Sequence, residues 1–314
     1  MKKRKKITEG HKMFFNVMGV FLIYTLIFLL FKNYEQNYLP PYNETDDIHL
    51  LIFCGSFMIG LAWIMYYYAK RMNKRISYEQ RKKETLMRRE LTQNISHELK
   101  TPVASILGFT ETILDNPSMS EETKIQFVIR TNAQAQRLSS LLQDISMLNR
   151  MDYAANVLTI ERINVSNVVS EIIQEIELDL NKKNMLSKNY LPENILIKGN
   201  TSMVYSIFRN LFENAINYAG NGTTIEIAAN EHPDKWQFRF NDNGQGIPSE
   251  HLTRIFERFY RIDKGRSRAL GGTGLGLAII KNAIQLHGGN ITASLAEGGG
   301  LCFDFTLKKM IKSF

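Results

Sequence analysis

Ser96-His97-Glu98-Leu99-Lys100-Thr101-Pro102 lies in the middle of a long helical pattern. Apolar residues at Leu91, Ile95, Leu99, Ile106, Ile113 and Leu114 recur at roughly helical spacing on both sides of it. His97 falls between Ile95 and Leu99, at the edge of the apolar face, where it meets solvent. Glu98 can orient one imidazole nitrogen so that the other becomes a better nucleophile, or accept its proton. Thr101 stands one turn beyond His97 on the same side of the helix. Pro102 removes a backbone donor and crowds the preceding turn, so the helix is expected to bend or loosen at the histidine. A lone His-Glu pair is more often an ordinary surface pair, and the rest of the chain must discriminate.

The full string closely resembles the phospho-acceptor box of bacterial sensor histidine kinases. That resemblance implies an ATP-binding domain downstream. The 314 residues suffice for two domains. The formal net charge of +8 hints at nucleic acid, but much of the excess flanks apolar runs, which fits a lipid bilayer better. Cys54 and Cys302 are far apart and form no metal or disulfide pattern.

Residues 1–12 form a basic tail with Lys2, Lys3, Arg4, Lys5, Lys6 and Lys12 against Glu9. Residues 13–31 carry no charge and are long enough to span a bilayer core, which takes ~20 helical residues. A signal peptide is the competing reading, but Lys32-Asn33-Tyr34-Glu35 follows where a small-residue cleavage site belongs, so an uncleaved anchor is expected. A second apolar run covers 48–68 and ends in an aromatic belt of Trp63, Tyr66, Tyr67 and Tyr68. The 32–47 loop holds Lys32 against Glu35, Glu44, Asp46 and Asp47, whereas Lys70, Arg71, Lys74 and Arg75 follow the second run. The positive-inside rule then gives a two-pass protein of the bacterial plasma membrane with both termini cytoplasmic. The loop, with Pro40-Pro41, is too short to fold as a ligand-binding domain. Residues 69–85 form a helical linker that joins the second span almost directly to the His97 helix.

That helix is expected to end near Asn116-Pro117. Ser118 to Glu121 reads as a capping box for the next helix, with Ser120 the alternative cap. The second helix, with Ile125, Val128, Leu138, Leu141, Leu142, Ile145 and Leu148 on its apolar side, runs to about Met151. Such an antiparallel hairpin (86–152) cannot bury both apolar faces alone, and two copies make a four-helix bundle, which predicts a homodimer. A hairpin packed instead on the next domain is the alternative. Across 157–310 the pattern alternates. Strands are expected at 157–163, 195–198, 223–229, 236–241, 290–295 and 301–307. Helices are expected at 166–180, capped by Ser166, at 201–218 and at 272–286. The fold class is therefore an α-helical membrane hairpin, a helical hairpin dimerising to a four-helix bundle, and an α/β two-layer sandwich.

Three clusters in the α/β part carry chemistry. Asn210 and Asn214 lie four apart on one helix face, and their neutral amide oxygens suit Mg²⁺ already neutralised by phosphates, while Glu213 can hold a metal-bound water. Asp242-Asn243-Gly244-Gln245-Gly246 follows a strand; Gly244 and Gly246 permit close backbone approach, and Asp242 can accept from an adenine amino group. Gly271-Gly272-Thr273-Gly274-Leu275-Gly276-Leu277 leads into a helix as a phosphate cradle. Singly, the first reads more readily as a solvated helix face and the second as a routine turn, and a lone glycine-rich loop says little.

Together and in this order they resemble the asparagine box and the two glycine boxes of the gyrase-like ATPase fold shared by histidine kinases. Phe256-Glu257-Arg258-Phe259-Tyr260-Arg261 resembles the phenylalanine motif at the base of a mobile lid, within which Lys264, Arg266 and Arg268 are available to phosphate. The resemblance implies that Mg-ATP is held by Asn210, Asn214, Tyr218, Asp242, Gly244, Gly246, Arg258, Gly272, Thr273, Gly274, Leu275 and Gly276, with Asn210 and Asn214 at the metal. Asn217 departs from the pattern, because many relatives place a lysine there; Arg258 or Arg261 is the candidate replacement. The resemblance further implies autophosphorylation of His97 with Glu98 as base, and transfer to an aspartate of a response regulator. Thr101 stands where such kinases position water to dephosphorylate that regulator. A membrane scaffold that only binds ATP and a gyrase-type ATP-driven clamp are the competing classes. No motif for binding nucleic acid is present. His11, His49, His232 and His251 show no partner pattern, and His287 is expected to end a helix.

Overall fold

The computed structural model describes residues 2–38, 45–153, 159–263 and 272–309. It divides into two compact units, Met1–Glu90 and Leu91–Phe314. In the first, α1 (Lys2–Tyr38) meets the start of α2 (Thr45–Asp115), where Phe21 and Tyr24 approach Phe57 edge-on at 5.6 and 5.8 Å between ring centroids. Among the described residues, Met18–Tyr38 is the one helix long and apolar enough to cross a membrane by length and composition. It leaves Leu22, Leu26, Leu29 and Leu30 exposed. The expected second span falls on α2, where Ile52, Met58, Ile59 and Trp63 are exposed. Among the described residues, no span of α2 meets the same test. The Pro40-Pro41 loop lies outside the described residues.

In the second unit, α2 ends at Asp115 and α3 (Glu121–Tyr153) returns. Ser120 rather than Ser118 caps α3: its hydroxyl accepts from the Thr123 N–H at 3.3 Å, and Glu121 and Glu122 favour the positive end of the helix dipole. Phe109 and Phe127 meet near the turn at 5.7 Å.

The α/β part contains β1 (Glu161–Asn164), α4 (Val165–Glu175), α5 (Glu177–Lys182), β2 (Leu186–Tyr190), β3 (Leu196–Gly199) and α6 (Thr201–Tyr218). Then come β4 (Thr224–Glu231), β5 (Lys235–Asp242), α7 (Gly276–Leu286), β6 (Ile291–Leu295) and β7 (Leu301–Lys308). A five-stranded sheet has the order β2-β4-β5-β7-β6, parallel only between β2 and β4, while β1 and β3 pair separately. Four features depart from expectation by more than a shifted strand end. Asn164, not Ser166, caps the 165 helix, accepting from Ser166 N at 3.1 Å, and that helix breaks at Ile176 into two pieces. The first strand begins at Glu161, and residues 154–158 lie outside the described ones. The strand β2 was not anticipated: Leu186-Ser187-Lys188-Asn189-Tyr190 is a largely exposed edge without alternation, and only its pairing with β4 identifies it. The helix α7 starts at Gly276 rather than Gly272, so the glycine-rich cradle is loop.

The core lies between the sheet and its helices. Phe208 of α6 packs against Phe238 and Phe305 at 5.7 and 5.8 Å, Phe212 against Phe240 at 5.1 Å, and Phe238 stacks on Phe305 at 5.0 Å. All five rings are at most 1% exposed. Burying each is worth roughly 1.5–3 kcal/mol. The inward face of β5 reads Trp236, Phe238, Phe240, Asp242 at period two, so the strand that fills the core also buries its terminal carboxylate.

Candidate active site

The alternation that buries Asp242 sets the floor of a cavity of about 1000 Å³. Asp242 Oδ1 accepts from Gly244 N at 2.9 Å and Leu301 N at 3.4 Å. Burial pushes this carboxyl above its ordinary pKa, and the two backbone donors oppose the shift. A Cβ at Gly300 would lie 2.0 Å from Asp242 O, and one at Gly244 2.4 Å from Ala219 O, so glycine is required at both close approaches.

The N-terminus of α6 is capped by Asn200, which accepts from Met203 N at 3.1 Å. One side of α6 faces the core; the next carries Asn210, Glu213, Asn214, Asn217 and Tyr218 to the cavity wall. Asn210 donates to Ser206 O at 2.8 Å, and its Oδ1 occupies the space a side chain at Gly276 would take, 2.5 Å from that Cβ position. Asn214 Nδ2 is buried without a partner among the described residues. A buried amide donor left unmatched is expensive, and an acceptor on a ligand in the cavity would satisfy it. On the opposite wall, Gly272, Thr273, Gly274 and Gly276 line the cavity, with Gly274 at φ 74° and Thr273 Oγ1 accepting from Leu275 N at 3.2 Å. Leu275 itself is fully buried beneath them. Gly271 and residues 264–270, with the lid cations, lie outside the described residues.

His97 is exposed and borders a separate open groove of about 520 Å³ lined with Lys100, Thr101, Ala104 and Ser105. Thr101 Oγ1 donates to His97 O at 3.3 Å, while Pro102 is buried and offers no backbone donor to the turn behind it. Glu98 turns the other way. Its Oε2 pairs with Arg137 of α3 at 3.3 Å and with Arg261 at 3.2 Å. Arg261 lines the nucleotide-sized cavity and also donates to Gly272 O at 2.5 Å, so one guanidinium links the neighbour of His97 to the glycine-rich loop.

Residues 87–154 match the model of the His Kinase A (phospho-acceptor) domain. Residues 199–311 match that of the histidine kinase-, DNA gyrase B- and HSP90-like ATPase. Over 222 residues, 70% of this chain, it is 33% identical to the sensor protein kinase WalK of Staphylococcus aureus. The chain belongs to the sensor histidine kinases. It spans 53% of that relative and 36% of the WalK of another Staphylococcus aureus strain, so about half or less of the curated relatives it matches. The fold of this chain is similar to that of the histidine kinase AdeS of Acinetobacter baumannii (TM-score 0.56, 23% identity, 68% of this chain and 98% of that one). It is also similar to the histidine kinase ThkA, solved in complex with the response regulator protein TrrA (TM-score 0.57, 24% identity, 72% and 63%).

Of the expected site residues, the fold brings Asn210, Asn214, Tyr218, Asp242, Gly246, Gly272, Thr273, Gly274 and Gly276 to one cavity. Gly244 and Leu275 support it from behind. Arg258 is not on that wall; of the two candidate cations, Arg261 is. His97 and Thr101 border the other groove. Two residues escaped the sequence reading, Arg137 and Asp144. They stand seven apart on α3, on the stripe with Leu141, Leu148 and Met151 that packs onto the α/β part next to α7. Thr273 Oγ1 donates to Asp144 Oδ2 at 2.7 Å. Burial pushes the Asp144 carboxyl up to about 6; the Thr273 hydrogen bond opposes the shift and nearby Glu213 adds to it. Polar residues interrupting an otherwise apolar heptad stripe were the available signal. His251, which showed no partner pattern, meets Tyr260 OH at 2.6 Å. His287 closes α7: its Nδ1–H donates to Ala283 O at 2.7 Å and its Nε2 accepts from Asn200 N at 3.1 Å, so burial holds it neutral.

Proposed function

We propose that the chain is an ATP-dependent protein-histidine kinase that autophosphorylates His97 and passes the phosphoryl group to an aspartate of a response regulator. The observation that carries this reading is the ion pair between Arg261, on the cavity wall, and Glu98, the neighbour of His97. It ties the phospho-acceptor helix to the pocket that fits a nucleotide. Asp242 accepts the adenine amino group, and the Gly272–Gly276 loop with Thr273 receives the phosphates. Asn210 and Asn214 would hold Mg²⁺ through their amide oxygens, and it would supply charge neutralisation on the phosphates. The unmatched Asn214 Nδ2, a donor that suits a phosphate oxygen, and the left-handed Gly274 support the phosphate fit.

In the transfer, an imidazole nitrogen of His97 forms the N–P bond as the bond to the ADP oxygen breaks, and ADP leaves with the electron pair. Glu98 accepts the ring proton. Alignment and charge neutralisation carry most of the catalysis. His97 and the nucleotide cavity border different spaces in this arrangement, so transfer requires the α/β domain to leave its seat on Glu98. Thr101, at the mouth of the His97 groove, positions water against the phosphorylated regulator, giving a phosphatase as well. The kinase is a homodimer held in the bacterial plasma membrane by two helices, residues 13–31 and 48–68, with both termini cytoplasmic. Residues 86–152 serve as the dimerisation and phosphotransfer domain and 157–310 as the catalytic domain.

The test uses the cytoplasmic part from Ile76 onward with γ-labelled ATP and Mg²⁺. Acid-labile, base-stable label is expected on the wild type and none on His97→Gln. Equal labelling of both overturns His97 as acceptor, and nucleotide binding without label in either points to a scaffold. Thr101→Ala is expected to keep autophosphorylation but slow loss of phosphate from the regulator at least tenfold, as removal of a water-positioning group does. An unchanged rate removes Thr101 from that role.

A further inference from the structure

One wall of the nucleotide-sized cavity does not belong to the α/β domain. Ser140, Gln143 and Asp144 of α3, on the hairpin, line it. Two groups of the α/β domain that suit phosphate oxygens, the Thr273 hydroxyl and the Arg261 guanidinium, are both engaged by hairpin carboxylates. Thr273 Oγ1 spends its one hydrogen on Asp144 Oδ2 at 2.7 Å, while a lone pair accepts from Leu275 N at 3.2 Å. Arg261, whose side chain is 6% exposed, pairs with Glu98 Oε2 at 3.2 Å. Each arm of the hairpin thus places one carboxylate on the glycine-rich side of the cavity.

We propose that Asp144 is an internal competitor for the nucleotide: its carboxylate takes the place of a phosphate oxygen at Thr273, so that ATP binds by displacing the hairpin and thereby lifts the α/β domain off its seat. The inference rests on the reading of the cavity as the ATP site. A hydroxyl has a single hydrogen, so Thr273 cannot serve Asp144 and a phosphate oxygen at once. A phosphate oxygen within hydrogen-bond reach of Thr273 Oγ1 would also stand close to the Asp144 carboxylate, and two anions in a half-buried site repel. Glu213, which lines the same cavity and helps push the Asp144 carboxyl up, adds further negative charge. Arg261 faces the same choice between Glu98 and phosphate. Such competition is reciprocal: the factor by which the seat weakens ATP binding is the factor by which ATP weakens the seat. The nucleotide itself therefore supplies the release that transfer requires.

The experiment titrates the full chain, reconstituted in lipid nanodiscs with Mg²⁺, with the β,γ-imido analogue of ATP and, separately, with adenosine. It is run at about pH 8, where Asp144 is ionised. Asp144→Ala is expected to tighten the analogue about tenfold, which corresponds to a seat occupied about nine-tenths of the time. Adenosine, which carries no phosphate, is expected to keep its affinity within about twofold. In the wild type, hydrogen exchange of the α3 backbone between Leu141 and Met151 is expected to quicken on adding the analogue and not on adding adenosine. An unchanged Kd for the analogue overturns the proposal. So does a weaker one, which would make Asp144 part of the binding site, or an equal gain for adenosine, which would assign the effect to a wider cavity mouth. Unchanged exchange at saturating analogue overturns it as well. Absence of analogue binding by both proteins removes the ATP site itself, which is a separate failure. Alanine is the strongest helix former and Asp144 is only half-buried, so the variant keeps its helix; the unfolding midpoint checks this. Were the variant lost, the exchange measurement on the wild type decides by itself.

Discussion

The hairpin and the α/β domain of the second unit bury their apolar residues to very different degrees. In the α/β domain the aromatic core is closed: Phe208, Phe212, Phe238 and Phe240 are wholly inaccessible. In the hairpin, Val103, Leu107 and Leu114 of α2 and Ile125, Val128, Ile129 and Leu142 of α3 are 41–76% exposed. Their spacings follow a heptad, so they form seams rather than scattered surface residues. A domain with a closed core is complete as a single chain. A hairpin with an open heptad seam leaves apolar surface for a partner, and the proposed homodimer would supply the matching seam from a second copy. The face of α3 that is closed, Leu141, Leu148 and Met151, is the face that meets the α/β domain.

The largest expected effect breaks the closed core. Phe208→Ala should lower the stability of the α/β domain by about 3–5 kcal/mol, read as a shifted denaturant midpoint, and abolish nucleotide binding with it. A shift below ~1 kcal/mol would show that this core is not what holds the domain. Next, Leu107→Glu on the open seam should leave the midpoint of the α/β domain unchanged but weaken dimerisation at least tenfold, about 1.4 kcal/mol or more, by light scattering. Unchanged mass would place the dimer contact elsewhere.

The smallest effect lies where the two regions meet. Asp144 titrates at about 6 when buried against Thr273, above its ordinary value of 3.8. The folded state therefore binds more protons than the unfolded state between those values, so stability falls as pH rises through that window and stays low above it. Asp144→Asn removes this penalty and still offers Thr273 an acceptor. It should raise stability at pH 7.5 by on the order of 1–3 kcal/mol. The gain should shrink as the pH falls through 6 and be gone near 4. A gain that is equal at pH 5 and 7.5 would assign it to packing instead.

The placement of the candidate site was legible in the sequence where it depends on consecutive residues. Asn210 and Asn214 share a helix face because four residues make a turn, and Asp242 is buried because it falls in phase with Trp236, Phe238 and Phe240. The cap of α3 was legible only to within two residues, since Ser118 and Ser120 both suit the position and hydrogen-bond geometry chooses Ser120. The strand β2 was illegible, because an exposed edge strand has no hydrophobic period and exists only through its neighbour.

By itself, then, the sequence determined the inventory that the proposed reaction draws on: a histidine followed by a glutamate, an amide pair, glycine loops, and the elements that carry them. Those are local properties of period, cap and turn. Only the tertiary structure decided that Arg261 rather than Arg258 faces the cavity, that Arg137 reaches Glu98, and that Asp144 meets Thr273. Each of those contacts joins residues far apart in the chain, whose side chains find one another only after helices have packed.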